Sequence, residues 1–308
     1  MAATPTLRAL PGRRMIAWRR NRALIGGLLP AASLLSLFFI APAIWAIYTS
    51  FTNRALVGLD ARHPRNVGWA NYERLIHSPA FKTVLENSLV FVLGSAVVGQ
   101  FTLGLALAVL LDHGDHRGYR ATPFVYGAVL LAWVNPTIIA GFLWVAMFDF
   151  YYGSLNKTLE FFGFNGVSWL GKAPMLSLII VNTWRGAAFV MIIFQGALRT
   201  IPSQVYEAAR MDGASAWQRF WDHTLPNLRQ VAALVLLSVT ISTFGAFLLI
   251  LTLTNGGPGT KTEVIALYAY HTAFQSRQIG YGSSIAAVML GLNLIFAAVY
   301  LRVSKPKI

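Results

Sequence analysis

No cysteine occurs anywhere in the chain, which excludes a disulfide framework and thiolate metal sites. Acids are scarce, with 11 Asp and Glu in 308 residues against 25 Lys and Arg. Charge of either sign makes up 12% of the chain, about half the usual share of a soluble domain. The long apolar runs hold no carboxylates except near their ends, so the residues that an ion-coupled carrier needs are lacking. No nucleophile elbow with Ser, His and Asp appears, which leaves a membrane enzyme without chemistry. A P-loop is lacking too: Gly259-Thr260-Lys261-Thr262 has the wrong residue order and no strand before it. The histidines of Asp112-His113-Gly114-Asp115-His116 read as a short polar turn, and no metal site is expected there.

Apolar surface is what the chain has in excess. Hydrophobic residues are 56% of the sequence and the mean hydropathy is +0.56. That surface must face lipid, so the fold class expected is an all-α polytopic membrane protein with six transmembrane helices. The spans read as Ala23–Tyr48, Val84–Leu111, Pro123–Phe148, Pro174–Leu198, Val231–Leu253 and Gly282–Val303. Prolines 30, 42 and 136 fall inside them and are expected to be tolerated there. Gly94, Gly99 and Gly104 in the second span would permit close helix packing. The organisation expected is a basic tail at 1–22, one permease domain at 23–303 and a short tail at 304–308. An external loop at 49–83 and a second large loop at 199–230 lie within the domain.

The net charge of +14 is spread over loops and ends, which fits membrane topology and anionic headgroups rather than nucleic acid. Arg8, Arg13, Arg14, Arg19, Arg20 and Arg22 precede the first span without an acid among them. With six spans, fifteen basic residues fall on the side of both termini and nine on the other. Both ends are therefore expected in the cytoplasm of a multi-pass cell-membrane protein. A cleaved signal peptide ending near Ala41-Pro42-Ala43 is the competing reading, but the apolar run is long and the proline opposes cleavage.

The loop at 199–230 has a local structure legible in its residues. Pro202 suits a first helical turn, and Val205, Ala208 and Ala209 share one face of that helix. Gly213 ends it, and Ser215 with Gln218 forms a capping box for a second helix. Trp217, Phe220, Trp221, Thr224 and Leu225 form the stripe of this second arm, which Pro226 is expected to end. The aromatic stripe would anchor the arm on the protein's own spans, and the small residues would admit a partner. An interfacial hairpin resting on headgroups is the plainer alternative.

Glu207-Ala208-Ala209, then Gly213 after three intervening residues, then Leu225-Pro226, resembles the EAA motif of ABC importer permeases. Only His223 departs, at a position where that family usually has an aliphatic residue. Val67-Gly68-Trp69-Ala70-Asn71-Tyr72 and Asn87-Ser88-Leu89 resemble elements of the carbohydrate-type permeases, and Leu253-Thr254-Asn255-Gly256-Gly257-Pro258 is similar to an element of the maltose-type first permease subunit. The resemblance covers most of residues 67–303 and implies a type I ABC importer permease with a cytoplasmic coupling loop. It implies that Glu207, Ala208, Ala209, Asp212, Gly213, Leu225 and Pro226 dock on a separate ATPase subunit. It also implies a second permease, an external solute-binding protein and a sugar substrate. This chain would need no cofactor, since ATP and Mg are bound by the partner ATPase.

Arg185 is the one charge deep in an apolar run, costing about 2.5–3.5 kcal/mol to insert, so it should face a cavity or a partner helix. Asn182 and Phe189 share its face. The stretch Val181–Phe189 resembles the sugar-lining stretch of maltose-type permeases, which would turn Arg185, Gly186 and Phe189 toward substrate. Thr243 and Phe247, a hydroxyl and an aromatic plane one turn apart with Thr240 just before them, suit a polyhydroxylated ligand. The resemblance adds Leu248 and again Thr243 to the pathway. A structural bridge to backbone or partner remains the other reading of Arg185. A stand-alone secondary transporter or membrane enzyme remains the other functional class.

Overall fold

The computed structural model describes residues 27–303, so the N-terminal arginine cluster, Lys305 and Lys307 lie outside the described residues. Ten helices carry the argument: α1 (Gly27–Ser50), α2 (Pro79–His116), α3 (Thr122–Val134), α4 (Thr137–Met147), α5 (Pro174–Leu198), α6 (Ser203–Met211), α7 (Ala216–Phe244), α8 (Leu248–Leu253), α9 (Ile265–Tyr270) and α10 (Ile279–Val303). Five of these are long and apolar enough to cross a bilayer, and the α3–α4 pair supplies the sixth crossing when taken together. α5 coincides with the fourth expected span and sits centrally, packed on α2, α3 and α7. α1 buries only Thr49 and Ser50, leaving its apolar surface open apart from its contact with α10.

Three expectations need correction. The third span is not a straight helix: α3 and α4 meet at 106° across Asn135-Pro136. Pro136 has no N–H and its ring forces the preceding residue out of the helical region. Asn135 and Pro136 are accordingly both extended, with ψ of 127° and 137°. The fifth span also breaks, since α7 ends at Phe244 and α8 begins only at Leu248. Finally, Pro226 does not end the second loop helix, which runs unbroken from Ala216 to Phe244. A π turn at Phe220–Thr224 widens the helix just before Leu225-Pro226, and another at Ser36–Ile40 precedes Ala41-Pro42. Pro42 and Pro226 each stay within a continuous helix just after such a turn. Asn135-Pro136 has none.

The second span is longer at both ends than expected, so His113 and His116 cap its last turn instead of lying in a loop. It holds a π segment at Val92–Gln100, in which residues five apart become neighbours on one face. Gly94 and Gly99 are spaced to match this segment and Gly104 follows it: a methyl group on any of the three would run into Ile179, Thr183 or Val190 of α5. Absent side chains let the two helices approach closely.

The region expected as an external loop is ordered by its polar residues. Asn71 donates from Nδ2 to the carbonyls of Ser50 (2.8 Å) and Thr52 (2.9 Å), tying the loop to the end of α1. Asn87 donates to the carbonyls of Thr260 (2.8 Å) and Glu263 (3.1 Å), and Ser88 Oγ accepts from Ile265 N–H at 2.8 Å. The Asn87-Ser88-Leu89 and Gly-Gly-Pro elements, 170 positions apart, are thereby pinned together.

Candidate functional site

A cavity of about 590 Å³ opens between α5, the end of α7, the start of α8 and the α3–α4 bend. α5 contributes Asn182, Arg185, Gly186 and Phe189, the i, i+3, i+4, i+7 stripe of one helix face. Ser242 and Thr243 come from the last turn of α7, and Phe247 and Leu248 from the break that follows it. All seven residues singled out from the sequence for the substrate path thus line one cavity. Thr240 does not join them, since its hydroxyl is buried 3.2 Å from Tyr300 Oη.

The floor of the cavity is a buried polar network. Thr243 Oγ1 accepts from Asn182 Nδ2 and from Gln100 Nε2, each at 3.2 Å. Asn182 Nδ2 also donates to Ser95 Oγ at 2.8 Å, and Ser95 donates on to the Phe91 carbonyl at 2.6 Å. Gly186 makes room for this arrangement, because a side chain there would overlap the amide of Gln100. Asn182 and Thr243 are therefore held largely by their own neighbours. The network joins α2, α5 and α7 and satisfies polar groups that lipid could not.

The walls are aromatic. Phe189 faces Trp133 of α3 with ring centroids 6.1 Å apart, and Phe247 stacks on Tyr270 of α9 at 5.4 Å. Arg185 lines the same cavity. Its Nη2 donates to the Asn135 carbonyl at the α3–α4 bend over 3.4 Å, and its buried Nε reaches no acceptor among the described residues.

Gln100 and Ser95 were missed by sequence reasoning, although a glutamine in the middle of an apolar run is itself a signal. Trp133 and Thr137 line the cavity only because the chain bends at Pro136, and their composition gave no sign of it.

The second candidate site lies at the other end of α7. Glu207 and Ala208 are exposed on α6 while Ala209 is buried. Asp212 and Gly213 are exposed at the corner, where Gly213 adopts φ +76°. Both bonds of the capping box form, Ser215 N–H to Gln218 Oε1 at 2.8 Å and Gln218 N–H to Ser215 Oγ at 3.3 Å. Pro202 caps α6 from just outside it. Leu225 is half-buried and Pro226 exposed. The aromatic arm does not anchor on the spans as expected: Trp217 and Trp221 are 70% and 47% exposed and meet edge to face. The arm is fixed instead by Tyr206 Oη beside Thr224 Oγ1 (3.2 Å) and by Arg219 Nη1 donating to the Ala214 carbonyl (2.6 Å).

Comparison with known proteins identifies the family of the chain. The family described as binding-protein-dependent transport system inner membrane component matches residues 100–306. The sulfoquinovosyl glycerol transport system permease SmoG of Agrobacterium fabrum is 32% identical, over 91% of this chain and 89% of that one. The trehalose/maltose transport system permease MalF of Thermococcus litoralis is 31% identical, over 90% and 92% respectively. A bacterial alginate ABC transporter, solved with its alginate-bound periplasmic protein, has a chain of the same fold: TM-score 0.76, 23% identity, covering 96% of this chain and 99% of its own. The chain is a multi-pass membrane protein and belongs to the binding-protein-dependent inner membrane components, the permease subunits of ABC importers.

Proposed function

We propose that this permease forms half of the pathway of an ATP-driven sugar importer, with the α5–α7–α8 cavity as its solute site. The observation behind this reading is the cavity itself, where hydroxyls and an arginine stand among Trp133, Phe189 and Phe247. Stacking planes beside hydrogen-bonding groups suit a polyhydroxylated ring. The transported compounds named for SmoG and MalF, sulfoquinovosyl glycerol and trehalose or maltose, point the same way. A second permease, ATPase subunits and an external solute-binding protein complete the importer, and ATP and Mg are handled by the ATPase.

The α6–α7 hairpin is the coupling element. Exposed Glu207, Ala208, Asp212 and Gly213 form the face offered to the ATPase, with Leu225 and Pro226 at the foot of the span. Both termini are cytoplasmic, as the arginine-rich tail requires.

Proteoliposomes provide the test. Vesicles holding the complete importer and its binding protein should accumulate a sugar only with ATP inside the compartment that bears the ATPase. Vesicles holding this chain alone should accumulate none. Ion-gradient-driven uptake by the single chain would replace the reading with that of a secondary transporter.

A further inference from the structure

We propose that the solute of this importer is an acidic sugar, one bearing a carboxylate or sulfonate, and that Arg185 is the residue that selects it. The inference rests on the sugar-importer reading above and narrows its substrate class.

A guanidinium has five N–H donors and no acceptor. Among the described residues a single bond to the chain is formed, at 3.4 Å, to the carbonyl of Asn135, and the buried Nε finds no acceptor. No Asp or Glu lines the cavity, and among the described residues no carboxylate pairs with Arg185. The cavity is thus left with one uncompensated positive charge. Gln100 and Asn182 already direct an amide N–H each to Thr243, which leaves Arg185 as the one charged donor lining the cavity. A neutral sugar would leave that charge unanswered at membrane depth, where unpaired charge is costly. An anionic group in front of Arg185 answers it, and the planar fork suits two oxygens at once. Phe189 and Phe247 line the same cavity and offer it apolar surface for the ring.

The test uses the complete importer in proteoliposomes with its binding protein, and matched probes: glucose with glucuronate, glucose with its 6-sulfonate, and maltose with its uronic acid. The wild type should take up an acidic member at least tenfold faster than its neutral match. Arg185→Gln should cut acidic uptake by about ten- to hundredfold, the value of a charge-assisted hydrogen bond. Affinity of the binding protein for the probe should not change. Arg185→Lys, which keeps charge and loses the fork, should retain part of the rate. Equal or faster uptake of the neutral members overturns the proposal and leaves the sugar-importer reading standing. Full acidic uptake by Arg185→Gln overturns it as well. If both variants fail to assemble with the second permease, Arg185 is a structural bridge and the proposal falls. Failure of the assembled wild type to move any sugar of these pairs, with uptake of a non-sugar solute, removes the underlying reading instead.

Discussion

Gly186 and Gln100 are complementary: the missing side chain of one is the space occupied by the other. Gly186→Leu should expel the Gln100 amide, break its bond to Thr243 and overpack the α2–α5 contact, costing about 1–3 kcal/mol. The measurement is thermal unfolding of the purified complex, where a lowered midpoint is expected. Gln100→Ala beside Gly186→Leu should recover part of the loss, because the added side chain then has somewhere to go. No recovery would mean that Gly186 serves something other than Gln100. At this scale the sequence was readable wherever a residue type clashed with its surroundings. Arg185 stood out as a charge among apolar residues, and the α5 stripe followed from helical spacing alone. Gln100 obeyed the same logic and was passed over. Trp133 could not be found that way, since an aromatic in an apolar run looks the same whether it faces lipid or a cavity.

The α6–α7 corner turns on one backbone conformation. Gly213 has φ +76°, with open space around its α-carbon. Gly213→Val therefore meets no steric neighbour, and its cost is backbone strain of roughly 1–3 kcal/mol. The expected result is a complex that inserts and assembles but shows weakened substrate-stimulated ATP hydrolysis and transport. Unchanged coupling would remove the corner from the coupling role. Ser215→Ala deletes the cap of α7 at about 1 kcal/mol and should give a milder version of the same defect. The corner was legible because left-handed glycine and capping boxes are local devices, set by neighbours in sequence. The course of the arm was not. Periodicity identified Trp217 and Trp221 as one stripe but not what that stripe faces, and both are exposed. The prolines teach a related lesson: Pro42 and Pro226 stay within a helix just after a π turn while Pro136 breaks one, and π turns have no simple sequence mark.

Across the whole molecule, the proposed arrangement of six crossings with cytoplasmic ends would put the α6–α7 corner inside and the loop after Pro258 outside. The absence of cysteine makes this simple to check. Arg210 and Lys261 are both exposed, whereas the adjacent Thr262 is fully buried and would report nothing. An impermeant thiol reagent on intact cells should label Lys261→Cys and spare Arg210→Cys until the membrane is opened. The reverse pattern would turn the protein over and take the hairpin out of reach of a cytoplasmic ATPase. The number of crossings was legible from hydropathy, but the breaks in two of them were not, and those breaks form the cavity. One further consequence follows from the unbroken run of α7. Its 29 residues make a beam about 43 Å long, with Trp217 at one end and Thr243 at the other. A tilt of about 10° around its middle would swing each end by roughly 4 Å, in opposite directions. Work done on the aromatic end would then arrive at the solute as displacement, with the sense of motion inverted: a pull below becomes a push above.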